Sequence, residues 1–213
     1  MMLDFERQHW QAGYTLLAGV DEAGRGPLAG PVVAGAVAAS RKLLEGECDA
    51  ILDGLTDSKK LTERRREAFF AILQDHPDIM IGVGEASVEE IDEINILRAT
   101  HVAMARAVEA LPVMPDHVLV DGRPVQGLPC SSTAIVRGDG VSLLIAAASV
   151  VAKVTRDRQM VELDRLYPEY GLAKHKGYGS RAHMQALFEH GPSPIHRRSF
   201  RPVREAEAIC RRP

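Results

Sequence analysis

The sequence predicts an α/β fold built on a mixed β-sheet, and two observations predict it. Short apolar runs alternate with segments of helical period, and the first two runs stand close enough in the chain to pair as a hairpin. At 213 residues the chain suits one large domain, or one domain plus a small appendage, able to bury roughly 70% of its unfolded surface.

The elements follow in order. Leu16 to Asp21 (LLAGVD) and Pro31 to Ala39 (PVVAGAVAA) read as buried strands separated by a Gly-rich turn. Leu61 to Gln74 carries Leu61, Phe69, Ile72 and Leu73 on a helical period, with Thr62 as N-cap and Arg64, Arg65 and Arg66 on the outer face. Ile79 to Ala86 reads as a strand, Ser87 to Asp92 as a helical turn, and Ile96 to Leu111 as an amphipathic helix ended by Pro112. His117 to Asp121 (HVLVD) is a short strand closed by Gly122, and Ala134 to Val136 is another before the turn at residues 137–140. A long helix runs from Ser142 to Leu166, its first half full of small residues that permit close packing on a sheet. A loop rich in Gly, Lys and His spans Gly171 to Gly179, a short helix spans Ser180 to His190, and the basic tail from His196 to Pro213 is expected to cling to the surface or fray.

Composition narrows the function. The three cysteines, Cys48, Cys130 and Cys210, fit neither a disulfide framework nor a zinc site, which suits a reducing compartment. No basic region followed by an apolar one opens the chain, so no secretory signal is expected. The longest uncharged apolar stretch, Val141 to Ala152, is well short of the ~20 residues that span a bilayer. A cytoplasmic protein without membrane association is expected. The net charge of −3 hides an asymmetry: residues 1–152 sum to −9 and residues 153–213 to +6. An acidic part that gathers cations beside a basic part that holds phosphates is what a metal-using enzyme acting on a polyanion needs.

Three strands run into carboxylates: Val20 into Asp21 and Glu22, Val120 into Asp121, and Val136 into Asp139 three residues on. Strand ends are where α/β sheets place their sites. Hard cations such as Mg²⁺ take oxygen ligands, so a few convergent carboxylates make a cage for them. Neighbouring residues of a regular strand point to opposite faces. Joint use of Asp21 and Glu22 therefore requires the strand to end or twist there, and Ala23-Gly24-Arg25-Gly26 supplies the means.

The Gly24-Arg25-Gly26 turn lacks the spacing of a dinucleotide loop, because Pro31-Val32-Val33 continues as a strand where a helix should open. Two readings of it remain: backbone N–H groups flanking Arg25 clasp a phosphate and meet a neighbouring ribose hydroxyl, or the turn is a tight hairpin with a solvent-facing arginine.

The segment DEAGRGPLAGPVVAGAV at 21–37 resembles the opening signature of the bacterial type 2 ribonuclease H (ribonuclease HII) family. The likeness continues, in family order, through DSKKL at 57–61, IDEINILRAT at 91–100, VLVDG at 118–122, RGD at 137–139, AASVVAKVTRD at 147–157, HKGYG at 175–179 and HRRSFRPV at 196–203. The resemblance implies a ribonuclease H-like sheet flanked by helices with a C-terminal helical extension: residues 1–180 catalytic, residues 181–213 an extension and basic tail of the same domain. It implies metal ligands at Asp21, Glu22, Asp121 and Asp139, Mg²⁺ or Mn²⁺ as cofactor in a two-metal mechanism, and a monomer. The implied substrate is an RNA/DNA hybrid, or a DNA duplex with embedded ribonucleotides, cut on the 5′ side of a ribonucleotide to leave 3′-hydroxyl and 5′-phosphate ends. Gly24, Arg25 and Gly26 match the element that grips the 2′-hydroxyl and phosphates, and Tyr178 matches a tyrosine that stacks on the next sugar. Arg137 stands where the family often has lysine. Asp157 rivals Asp139 as fourth ligand, but it lies mid-helix between Arg156 and Arg158, where a solvated charge is the simpler account.

Lys59, Lys60, Lys153, Lys174 and Lys176 are candidates for backbone phosphates, which would make binding fall steeply with salt. His175 and His183 are read as loop and helix-surface residues without a catalytic role. Two further hypotheses are a non-catalytic hybrid-binding protein that uses the basic tail and a nucleotide-cofactor oxidoreductase that uses Gly24 and Gly26.

Overall fold

The antiparallel hairpin expected from the first two apolar runs is the centre of the sheet. In the computed structural model, which describes residues 2–46 and 48–210, β1 (Leu17–Ala23) pairs antiparallel with β2 (Val32–Ala39), and β2 with β3 (Ile79–Ala86). On the other side β1 runs parallel to β4 (His117–Asp121), and β4 to β5 (Ser131–Ile135), giving the order β3-β2-β1-β4-β5. The sheet is mixed, as the pattern predicts.

Strand alternation sorts the two faces. Leu17 and Val37 face a core built with α6 (Leu143–Leu166), whose first ten residues are all buried. Ala18, Val20, Ala34 and Ala36 face a second core built with α5 (Val88–Glu109). The contact with α6 is close because of glycine: a Cβ on Gly19 would lie 2.1 Å from the Leu144 carbonyl carbon, and one on Gly35 would lie 2.6 Å from the Ala148 oxygen. Helix α4 (Glu63–Asp75), capped by the Thr62 hydroxyl as expected, packs beside α6.

Several elements differ from the sequence expectation. The helical turn at 87–92 and the helix at 96–111, by contrast, stand as expected within α5: a Ser87/Glu90 capping box opens the first, the backbone leaves the helix at Asn95 (φ 68°), and the Asn95 Oδ1 accepts from the N–H groups of Leu97 and Arg98 to open the second. The 171–179 loop contains α7 (Leu172–His175). Helix α1 (Asp4–Gln11), α2 (Arg41–Gly46) and α3 (Cys48–Ile51) were not expected. Beyond α8 (Arg181–His190) the tail is no frayed end: α9 (Arg201–Cys210) buries Val203 and Ala206 against Leu187 and Leu28. The last expected tail residues, 211–213, lie outside the described residues. Among the described residues no helix is long and apolar enough to cross a membrane.

Candidate active site

Strand β1 does not end at the acidic pair, contrary to the expectation. It continues through Ala23, with Asp21 opposite Gly35, Glu22 opposite Ala34 and Ala23 opposite Val33. The pair is therefore splayed as a regular strand requires. Asp21 lies on the α6 side and is buried, whereas Glu22 lies on the α5 side at the mouth of an open groove of about 590 Å³ lined by Arg25, Arg98, His101, Asp121 and Arg123.

The other carboxylates come to Asp21. Asp121 ends β4, two residues from Leu119 on the α6 side. Asp139 sits in a single 3-10 turn, Gly138–Gly140, entered through Arg137 in a left-handed conformation (φ 58°). Carboxylate oxygens of Asp21, Asp121 and Asp139 all lie within 4.8 Å of one another. Glu22 stands outside that trio and pairs instead with Arg25, its Oε1 accepting from Nη1 at 3.2 Å.

Crowded carboxylates taken out of water resist ionisation. Burial, and then the charges of Glu22 and Asp121, push Asp21 well above the usual carboxylate range. Burial raises Glu22 too, against the opposing pull of Arg25. Asp139 is raised by burial and by the neighbouring carboxyls of Asp121 and Asp57. Asp57, in the loop before α4, is thus a further acid at the site. In the sequence it lies within the DSKKL segment at 57–61, with no signal that assigns it to the site.

Uncompensated negative charge among hard oxygen donors, with no histidine or cysteine in the trio, fits a divalent cation. One side-chain cation already faces the cluster. Burial works against the charge of Lys59, but the carboxylates of Asp21, Asp57, Asp139 and Glu22 outweigh it and raise its pKa. The remaining lysines are placed differently. Lys60 is exposed and 3.9 Å from Asp57, Lys174 is exposed, and Lys176 donates to the Ala173 carbonyl at 2.6 Å. Lys153 is bound to Asp157 at 2.5 and 2.7 Å, with little of either side chain exposed. Asp157 is thus a paired, half-buried group and not the solvated charge expected. The outcome is the same: Asp139, not Asp157, joins Asp21 and Asp121.

Tyr178 is exposed and stands beside the Gly24-Arg25-Gly26 turn: a Cβ on Gly26 would lie 3.6 Å from the Tyr178 ring. His183 is not a helix-surface residue. It is fully buried, stacks on His175 with ring centroids 4.5 Å apart, and shares a 3.0 Å Nε2 to Nε2 hydrogen bond with His196. Two arginines that sequence reasoning left without a role, Arg156 and Arg197, are almost completely buried behind the turn. The only sequence signal for them was their place inside AASVVAKVTRD and HRRSFRPV.

A family model described as Ribonuclease HII matches residues 18–203 of the chain. A ribonuclease HII of Geobacter sulfurreducens is 54% identical over 210 residues, covering 98% of this chain and 93% of its relative. The crystal structure of ribonuclease H2 from Pyrococcus horikoshii superposes with a TM-score of 0.77 at 30% identity, covering 93% of this chain and 100% of the other. Bst-RNase HIII in complex with Mn²⁺ superposes with a TM-score of 0.75 at 18% identity, covering 96% of this chain and 73% of the other, a likeness of fold alone. The mixed sheet with C-terminal helices expected from the resemblance is the fold these structures share.

Proposed function

Because the chain belongs to the ribonuclease HII family, and is therefore an endoribonuclease acting on RNA paired with DNA, we propose that it cuts on the 5′ side of ribonucleotides, single ones embedded in duplex DNA included. The products are 3′-hydroxyl and 5′-phosphate ends. The observation that carries this reading is the convergence within 4.8 Å of Asp21 on β1, Asp121 at the end of β4 and Asp139 in the turn after β5, beside the Gly24-Arg25-Gly26 turn into which β1 leads. A scissile phosphate held at the carboxylates then has its ribose within reach of the turn.

Asp21, Asp121 and Asp139, with Glu22 at the rim, would hold Mg²⁺ or Mn²⁺, which supply Lewis-acid charge on the phosphate and a water of lowered pKa. The chain's own groups do the rest. The amides of Arg25 and Gly26 grip the ribose hydroxyl and phosphate, the Tyr178 ring supports the following sugar, and Lys59 adds positive charge beside the reacting phosphate. Lys60, Lys176 and the groove arginines Arg98 and Arg123 meet flanking phosphates. Glu22 holds the Arg25 guanidinium at the groove mouth until substrate replaces it. The protein acts as a monomer in the cytoplasm.

The test is cleavage of matched duplexes carrying one ribonucleotide, four ribonucleotides or RNA throughout one strand, in Mg²⁺ and in Mn²⁺. Product ends mapped to the 5′ side of the single ribonucleotide support the reading. Cutting only within the all-RNA strand would remove the claim about embedded ribonucleotides.

A further inference from the structure

The two buried arginines behind the turn have no carboxylate in a salt bridge with them among the described residues; their hydrogen bonds go to backbone carbonyls. Arg197 Nη2 donates to the Gly24 carbonyl at 2.6 Å and to that of Pro31 at 3.1 Å. Its Nη1 donates to the carbonyls of Arg25 at 3.0 Å and Pro27 at 2.8 Å, and its Nε to that of Gly30 at 2.9 Å. Arg197's own backbone N–H donates to Leu28 O at 2.9 Å. Arg156 donates to the carbonyls of Pro31, Ala29 and Lys176, each at 3.0 Å. The last of these bonds ties the Tyr178 segment to the same centre. Burial pushes Arg197 down to about 9 and Arg156 to about 10, so both stay charged at neutral pH and keep every donor.

A buried charge of this kind is a poor device for stability, since well-packed apolar side chains do as well or better. What it does is sort the backbone. In a trans peptide the C=O and the following N–H point in opposite directions. With the carbonyls of Gly24 and Arg25 drawn inward to Arg197, the N–H groups of Arg25 and Gly26 must point outward. The rule can be checked one step along: the Pro27 carbonyl turns to Arg197, and the Leu28 N–H points the other way, to the Gly177 carbonyl at 2.8 Å.

We propose that Arg197 is a positioning residue for ribonucleotide recognition: by gathering the carbonyls of Gly24 and Arg25 it presents the amides of Arg25 and Gly26 to the ribose and its phosphate. This rests on the reading of the turn given under the proposed function. Phe200, whose ring lies 5.2 Å from the Arg197 guanidinium carbon, keeps the guanidinium in place. The outward amides are the discriminating part, because an all-DNA sugar offers them no hydroxyl.

The experiment compares binding of a duplex carrying one ribonucleotide with binding of the same all-DNA duplex, in chelator so that nothing is cut. Arg197→Lys keeps the charge but cannot reach five carbonyls. It is expected to lower the preference for the ribonucleotide duplex by about tenfold, the scale of one lost charge-assisted hydrogen bond, with all-DNA affinity falling far less because only the phosphate contact is shared. Equal weakening on both duplexes, or an unchanged preference, would overturn the proposal. Should Arg197→Lys fail to fold, Phe200→Leu carries the test: it retains Arg197 and removes only the ring, so a smaller loss of preference is expected and an unchanged preference counts against the idea. Amide NMR shifts of Arg25 and Gly26 in the intact chain separate the two levels. If they respond equally to both duplexes, the reading of the turn has failed. If they respond only to the ribonucleotide while Arg197→Lys keeps its preference, the role of Arg197 alone is refuted.

Discussion

The Asp121 carboxylate accepts a 2.6 Å hydrogen bond from the backbone N–H of Gly138, which ties the end of β4 to the turn that carries Asp139. One oxygen of Asp121 thus builds the site while the residue's charge equips it. Asp121→Asn separates these roles, because the amide oxygen still accepts from Gly138. Cleavage is expected to fall by at least about 100-fold, on the scale of several kcal/mol lost from charge stabilisation of the transition state. The melting temperature should be unchanged or higher, since one of three crowded carboxylates is neutralised. Cleavage within tenfold of wild type, measured on a duplex with one ribonucleotide, would sink the assignment of Asp121.

The same crowding predicts a thermal signature of metal binding. A cation bound only by the folded site, at about 100 times its dissociation constant, adds about 2.7 kcal/mol. Mg²⁺ and Mn²⁺ should therefore raise the melting temperature of the wild-type protein and raise that of Asp121→Asn less. Equal shifts in both proteins, in a calorimetric or dye-based melt, would place the cation elsewhere. Chelation should remove the shift and the cleavage together.

Much of this was legible because it rests on local rules. Apolar runs marked four strands and only the end of the fifth, since β5 runs Ser131–Ile135 where Ala134–Val136 was expected and its opening Ser131-Ser132-Thr133 carries no apolar signal; the carboxylates that follow the apolar runs marked the site. Terminal helices were missed because they are short and bury little: α1 buries only Glu6 and Trp10, and α9 only Val203 and Ala206. Strand alternation did warn that Asp21 and Glu22 diverge. The error lay in bending the strand to avoid that result, when the structure accepts it and sends Glu22 to Arg25. Arg156, Arg197 and His183 were illegible for a different reason. A buried polar residue satisfied by distant carbonyls has the same local sequence as a solvated one.

Lys59 and Lys153 were equivalent phosphate candidates in the sequence, and their surroundings now divide them. Lys59 faces the carboxylate cluster, whereas Lys153 is held by Asp157. Lys59→Ala should weaken substrate binding and reduce the slope of log affinity against log salt by about 1. Lys153→Ala should leave that slope unchanged and instead lower stability by about 1 to 3 kcal/mol, because the half-buried Asp157 loses its partner. Salt titrations of binding beside denaturant melts of both variants decide this. A reduced salt slope in Lys153→Ala would restore it as a phosphate contact.

The buried histidines set the acid limit of the fold. Burial, and then the neighbouring His183, push His196 down to about 3, and burial likewise lowers His183. The sign follows from proton counts: between the usual histidine value of 6.5 and about 3, the unfolded chain holds a proton at residue 196 that the folded chain refuses. Stability is therefore complete above pH 6.5 and falls as pH drops through that window, by up to about 1.4 kcal/mol per pH unit from this residue. His196 accepts from the Ser193 N–H at 3.2 Å and meets His183 at 3.0 Å. His196→Gln disturbs those bonds, so it should be less stable than wild type at pH 7 and lose less stability on acidification. The two melting curves should then converge towards pH 5. Parallel curves across that range would show that His196 takes up its proton in the folded state as readily as in the unfolded one.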